Sequence, residues 1–184
     1  MSEEQLVRHC SPTLAGLKTG SLFGCRFDSP EALRCDVCAL NRMLSDKGLR
    51  VLPLQYRSGR ALIYVFRPER LRRELGDEAH SRLLERMGYP CAAPMGKCLS
   101  RLMERLRETE EFPHEIGLFL GYPPEDVQGF IEKRACKITG YWKVYGDTGR
   151  ALQTFASYRR CTDIYLKKWK SGASLRRLAV RTAS

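Results

Sequence analysis

The chain has 184 residues, of which 43% are hydrophobic and 29% are charged, and its formal net charge at pH 7 is +11. This length suits one domain with a continuous core, and no apolar run reaches the roughly 18 residues that a membrane-spanning helix needs. The start MSEEQLVRHC lacks the apolar stretch of a secretory signal, so we expect a cytoplasmic protein whose eight cysteines are thiols, most of them buried.

The positive charge is concentrated near the C-terminus. Residues 1–132 contain 19 basic and 19 acidic residues, whereas residues 133–184 contain 13 basic and 2 acidic residues. The net charge therefore describes one part of the chain, which is expected to form a basic surface that attracts anions.

In chain order, the first predicted helix runs from Pro12 to about Lys18, because Ser11 is a capping residue ahead of a proline. A strand is predicted over residues 21–27, and a helix follows from Pro30 until Gly48 ends it. Two strands are predicted within residues 49–67.

The turn between those two strands is predicted at Ser58 and Gly59, which suit the tight turn of an antiparallel hairpin. Pro53 lacks a backbone N–H, so it places the first strand of the hairpin at an edge or a bulge.

The second half of the chain is mainly helical by its pattern. Further helices are predicted over 68–76, 77–88 and 96–108, from Pro113 and from Pro124. A strand is predicted over 137–146, followed by a long helix that Asp147 caps. The last segment, 171–184, is predicted to be a basic, partly mobile tail. The sequence thus predicts one α+β domain, residues 1–184, with a small mostly antiparallel sheet of three to four strands and about seven helices.

Several segments together resemble a bacterial family of unknown function that is found mainly in anaerobic Firmicutes. They are HCSPTLAGLKTGSLF at 9–23, LNRML and KGL within 40–49, LIYVFRPERL at 62–71, FPHEIGLFLGYPPEDVQGFIE at 112–132 and GYWKVYGD at 140–147. The resemblance implies one intact domain. It also implies a link to iron, haem or flavin physiology, because genes of the family lie near iron-uptake and flavodoxin genes. It assigns no cofactor.

Cys10 is the first candidate for chemistry, because it precedes the predicted helix start, where a thiolate is favoured. His114 would be its base, with Asp147 or Glu115 orienting the imidazole, and His9 is an alternative base. The sequence also allows a buried Cys10 that only packs. This hypothesis describes a cysteine-dependent enzyme or a thiol redox protein.

Cys35 and Cys38 have the spacing of a redox pair or of half a zinc site. A zinc site needs two more ligands, and the sequence has no second pair with this spacing. Since residues three apart share one side of a helix, both thiols could also simply abut the core.

The two short helices around Gly121 outline a helix-turn-helix, but their charge opposes DNA binding. The helix that would enter the major groove begins with Pro124, Glu125 and Asp126, whereas phosphate and guanine contacts need basic or amide side chains. A helical corner of the core is the better interpretation.

The leading hypothesis is a protein that binds an anionic ligand or partner through the basic C-terminal surface. The candidate binding residues are Lys143, Tyr141, Tyr145, Arg159, Arg160 and Lys167. A strand with Tyr141, Lys143 and Tyr145 on one face would offer a stacking platform beside the basic final helix. An anionic small molecule, an acidic protein and nucleic acid all fit this surface.

Overall fold

A computed structural model describes residues 1–108 and 111–181. Within these ranges the chain forms nine α-helices, a three-stranded antiparallel sheet and a two-stranded ribbon, so the predicted α+β class is confirmed. Internal contacts divide the chain into two compact units, Met1–Glu69 with Tyr158–Ser184 (unit 1) and Arg70–Ser157 (unit 2). The extent of one domain over 1–184 stays a prediction.

Unit 1 is built on an antiparallel sheet. Its strands are β1 (Gly20–Arg26), β2 (Arg50–Arg57) and β3 (Arg60–Phe66), in the order β1-β3-β2. The β2–β3 turn has Ser58 and Gly59 at positive φ, as a tight hairpin turn requires, and the register shifts between Pro53 and Gln55. The hairpin and the irregularity at Pro53 are confirmed.

The helices of unit 1 cover the sheet and supply most of its core. They are α1 (Glu3–Leu14), α2 (Pro30–Leu44) with a 3-10 turn at Ser45–Lys47, residues 158–170 of α8 (Thr148–Lys170), and α9 (Leu175–Leu178). One apolar cluster joins Leu6 of α1, Ile63 of β3 and Leu175 of α9, and all three side chains are fully buried. The two ends of the chain therefore share one core.

The first helix differs from its predicted position. Helix α1 begins at Glu3 after a capping box formed by Ser2 and Gln5, and it contains Pro12 near its end. The prediction of a helix over Pro12–Lys18 was wrong because it took the Ser-Pro pair as a start signal. The capping box was the correct start signal.

The segment expected to be a mobile tail packs on the core of unit 1 as far as it is described. Leu175 and Leu178 of α9 are buried, and the N–H of Val180 donates to the carbonyl oxygen of Leu14 at 3.0 Å. Residues 182–184 of that segment lie outside the described residues.

Arg67, at the end of the sheet, is buried and connects three segments of unit 1. Its guanidinium donates to the carbonyl oxygens of Thr13 at 2.7 Å, Leu14 at 2.7 Å, Lys47 at 3.1 Å and Val180 at 2.9 Å. These bonds satisfy carbonyls at the end of α1, in the 3-10 turn and in the C-terminal segment. A planar fork of donors suits this task better than a lysine ammonium.

Unit 2 is mostly helical. Its helices are α3 (Pro68–Leu75, which begins two residues before the unit), α4 (Glu78–Arg86), α5 (Met95–Glu108), α6 (Ile116–Phe119), α7 (Pro124–Ile131) and the start of α8, and its ribbon pairs β4 (Ile138–Thr139) with β5 (Lys143–Val144). Buried Glu115, just before α6, accepts from Tyr89 Oη at 2.9 Å and Arg105 Nε at 2.5 Å. No helix in the described ranges is long and apolar enough to cross a membrane.

Arg67→Met is expected to lower the free energy of unfolding by about 3 kcal/mol or more, because it leaves buried carbonyl oxygens without their donor. Arg57→Met is the matched control, since Arg57 is exposed on β2 of the same unit, and it is expected to cost less than about 0.5 kcal/mol. Urea unfolding of both variants measures the difference. Equal losses would contradict the role assigned to Arg67.

Candidate functional site

The predicted site residues fall in both units. Unit 1 contains Cys10, Arg159, Arg160 and Lys167, and unit 2 contains His114, Tyr141, Lys143, Tyr145 and Asp147. Each group is therefore described within its own unit.

The C-terminal half of α8 has a cationic solvent side, which we name the basic face. Cys161 and Tyr165 recur at helical spacing and belong to the core of unit 1, and Tyr158 is also buried. The opposite side exposes the five members of the basic face, Arg159, Arg160, Lys167, Lys168 and Lys170, and one carboxylate among them, Asp163. Among the residues that the structure describes, none of these five has an acidic partner within ion-pair distance.

A cleft of about 390 Å³, the basic cleft, lies where α8 ends and α9 follows. Lys168 and Arg177 line it, together with Tyr165, Ser171, Gly172, Ala173, Leu178 and Val180. None of the described residues that line it is acidic. Burial raises the pKa of Tyr165 to about 12, so its hydroxyl stays protonated at neutral pH.

The segment 137–146, predicted as one strand, forms a short ribbon instead. Strands β4 and β5 of this ribbon have only two residues each, and Tyr141 and Trp142 lie in the turn between them. Buried Asp126 of α7 accepts from Trp142 Nε1 at 2.7 Å and from the backbone N–H groups of Tyr145 at 2.7 Å and Gly146 at 2.8 Å. These bonds bend the chain around one carboxylate, so the alternating strand was wrong.

Close packing explains where the two tyrosines of that segment lie. A Cβ at Gly129 of α7 would lie 2.5 Å from Cγ of Tyr145, so the tyrosine ring packs directly on the helix backbone. The Tyr141 ring lies 5.7 Å from the Phe155 ring and remains partly exposed. The predicted strand face of Tyr141, Lys143 and Tyr145 therefore does not form.

An open pocket of about 240 Å³, the aromatic pocket, lies within unit 2 between the 112–130 segment and the ribbon. Its wall includes four aromatic rings, from Phe112, Tyr122, Phe130 and Trp142. His114 and Lys143 are the predicted site residues that it brings together. The sequence did not identify the pocket, although both of its segments are in the quoted family blocks.

Cys10 has the properties of a core thiol. It lies inside α1, is fully buried, and burial raises its pKa to about 12, outweighing the opposite effects of Lys18 and a Ser21 hydrogen bond. A nucleophile needs access and thiolate character, and Cys10 has neither. Its expected position ahead of a helix start was wrong.

The alternative base for Cys10, His9 of unit 1, stacks on Phe23 with ring centroids 5.4 Å apart. The other proposed partners of Cys10 are in unit 2 and have other contacts. His114 packs edge-on against Phe130, with ring centroids 4.7 Å apart. The Oδ1 atom of Asp147 accepts the N–H of Arg150 at 3.0 Å, which caps α8 as predicted. Glu115 is the acceptor for Tyr89 and Arg105 and is not available to orient an imidazole.

Cys35 and Cys38 are exposed on α2, so they do not abut the core. Across residues 1–108 and 111–181, no group of three or more His, Cys, Asp or Glu side chains is placed to hold a metal ion. All eight cysteines are free thiols.

A short iodoacetamide pulse at about pH 8 is expected to modify Cys35, Cys38 and Cys136 in the folded protein and to leave Cys10 unmodified. The raised pKa of Cys10 lowers its thiolate fraction by about a thousandfold, and burial excludes the reagent. Peptide mapping by mass spectrometry measures the pattern, with the urea-unfolded protein as the control in which all cysteines react. Modification of Cys10 as fast as Cys35 would contradict the assignment of a core thiol.

Comparison with known proteins gives a family and no function. No curated protein and no solved structure matches the chain. Residues 6–179 match a family that is described as a protein of unknown function, DUF3793. The resemblance to a family of unknown function is thus confirmed, while its bacterial origin and its specific sequence blocks stay predictions. Because the match covers nearly the whole sequence, the chain belongs to the DUF3793 family.

Proposed function

We propose that the chain is a binding protein that receives an anionic small molecule in the basic cleft. The observation that carries this proposal is the composition of the cleft wall, in which Lys168 and Arg177 occur and none of the described lining residues is acidic. Arg177 offers a planar fork of donors and Lys168 offers a compact charge, and both suit phosphate or carboxylate oxygens.

The hydroxyl of Tyr165 supports the same proposal. Like any tyrosine, the side chain is neutral at physiological pH and is a hydrogen-bond donor, and burial raises its pKa further, to about 12. A neutral donor beside two cations favours an anionic acceptor. The volume of the cleft, about 390 Å³, falls within the range of roughly 300–1,000 Å³ typical of small-molecule sites.

The basic face would add long-range attraction to this cleft. Its cations lack acidic partners among the described residues, so their field is not neutralised by ion pairing. Such a field raises the local concentration of anions and the rate of association. We further propose a cytoplasmic protein, with the implied link to iron, haem or flavin physiology, because haem propionates and flavin phosphates are anions of the required kind.

Tripolyphosphate is the probe for this proposal, in isothermal titration calorimetry with the full chain. The double variant Lys168→Gln with Arg177→Gln is expected to bind it at least about tenfold more weakly than the wild type at low salt, because both charges of the cleft are lost. The wild-type affinity itself should fall as salt rises to about 0.15 M, where the Debye length is about 8 Å.

The matched control is Arg34→Gln with Arg42→Gln, which removes two exposed charges from α2 in the same unit. It is expected to change the affinity by less than about twofold, because neither arginine lines the cleft and exposed charges outside it act only through the screened field. Equal losses in the two double variants would mean that the affinity depends only on the net charge of the protein. That result would overturn the assignment of the cleft as the binding site. Failure of the wild type to bind tripolyphosphate at low salt would overturn the proposal itself.

A further inference from the structure

The aromatic pocket of unit 2 is a second site with a different chemistry from the basic cleft. Its wall combines the four rings with aliphatic side chains of Ile116 and Val127. Phe112 at this wall is 46% exposed, so its ring is accessible to a ligand. The pocket thus presents an aromatic surface to solvent.

The pocket is held in shape by contacts that require no ligand. Trp142 donates from Nε1 to buried Asp126 at 2.7 Å and stacks on Tyr122, with ring centroids 4.9 Å apart. The other side of the indole meets Phe155 edge-on at 4.5 Å. Because the indole is fixed by a hydrogen bond and two rings, the ligand does not have to order it on binding.

Gly117 shows how closely the floor of the pocket is packed. A Cβ at this position would lie 2.8 Å from Cγ2 of Val127 and 3.1 Å from Cδ2 of Tyr122. These distances are shorter than ordinary van der Waals contact, so a side chain here would displace wall residues. The absence of a side chain at Gly117 lets Tyr122 and Val127 pack against the backbone at this point.

Of the two oppositely charged side chains that line this pocket, Lys143 is exposed and Asp126 is buried. The two carboxylate oxygens of Asp126 already accept three hydrogen bonds, from Trp142, Tyr145 and Gly146. The Lys143 ammonium lies 5.1 Å from the centroid of Phe130 and is exposed. Within the described part of the chain, Lys143 has no acidic partner at ion-pair distance.

We propose that this pocket binds a small planar aromatic molecule that bears one anionic group, such as a carboxylate or a sulfonate. The flat part packs on the exposed ring of Phe112 and against the edges of Phe130 and Trp142, and the anionic group pairs with Lys143. This inference is independent of the basic cleft, because it uses different residues in the other unit.

Two dyes with the same ring system test the proposal. 8-Anilinonaphthalene-1-sulfonate carries a sulfonate, and N-phenyl-1-naphthylamine lacks it, so the pair separates stacking from charge. Fluorescence titration of the full chain is expected to show saturable binding of both dyes, with the sulfonate bound more tightly.

Lys143→Gln is expected to weaken the sulfonate dye by about fivefold and the neutral dye by less than about twofold, because only the sulfonate uses the ammonium. Phe112→Ala is expected to weaken both dyes by about threefold, since the ring contributes apolar and stacking contacts. Both side chains are exposed, so the variants are expected to fold, and thermal unfolding measures whether they do.

Two controls separate this pocket from other sites. Lys97→Gln removes an exposed charge from α5 of the same unit and is expected to leave both titrations unchanged. The double variant Lys168→Gln with Arg177→Gln tests the basic cleft and is expected to leave the dyes bound, even where it abolishes tripolyphosphate binding.

Three outcomes would overturn the proposal. The first is an equal effect of Lys143→Gln on the two dyes. The second is dye binding that is insensitive to both Lys143→Gln and Phe112→Ala. The third is a quaternary ammonium dye that binds more tightly than the sulfonate, which would mean that the pocket selects cations through its rings and Asp126.

Discussion

The Arg67 guanidinium holds together the segments around which unit 1 closes. It donates to carbonyl oxygens of α1, of the 3-10 turn after α2 and of Val180. Buried carbonyl oxygens need hydrogen-bond donors, and the Arg67 side chain supplies donors to these segments. The position of the C-terminal segment depends on it, and that segment carries Arg177 into the wall of the basic cleft.

Local sequence signals were enough to predict much of the fold. The β2–β3 hairpin, the irregularity at Pro53 and the cap of α8 at Asp147 were predicted because turns and caps are decided by nearby residues. The strand over 137–146 was wrong for the opposite reason. Its course is set by Asp126, which is distant in sequence from the groups it binds. Patterns of alternation cannot reveal such a bond.

The candidate sites could be predicted only in part. Charge counting identified the cations of α8, because helical spacing places them opposite a recognisable core side. It did not identify Arg177 or Tyr165 as neighbours, because their proximity depends on how the chain turns at Gly172, where φ is positive. The sequence did not predict the aromatic pocket, because its aromatic residues have the pattern of buried core residues. Their partial exposure is a property of tertiary packing.

Unit 1 takes core residues from both ends of the chain, and unit 2 is a continuous segment between them. A ribosome releases residues in order, so the β1–β3 sheet emerges long before Leu175 and Leu178, which complete its core. Unit 2 is one continuous segment, so no part of its core depends on residues that are synthesised much later. The sheet therefore emerges with an incomplete apolar face, which closes only after Leu175 and Leu178 have also been synthesised.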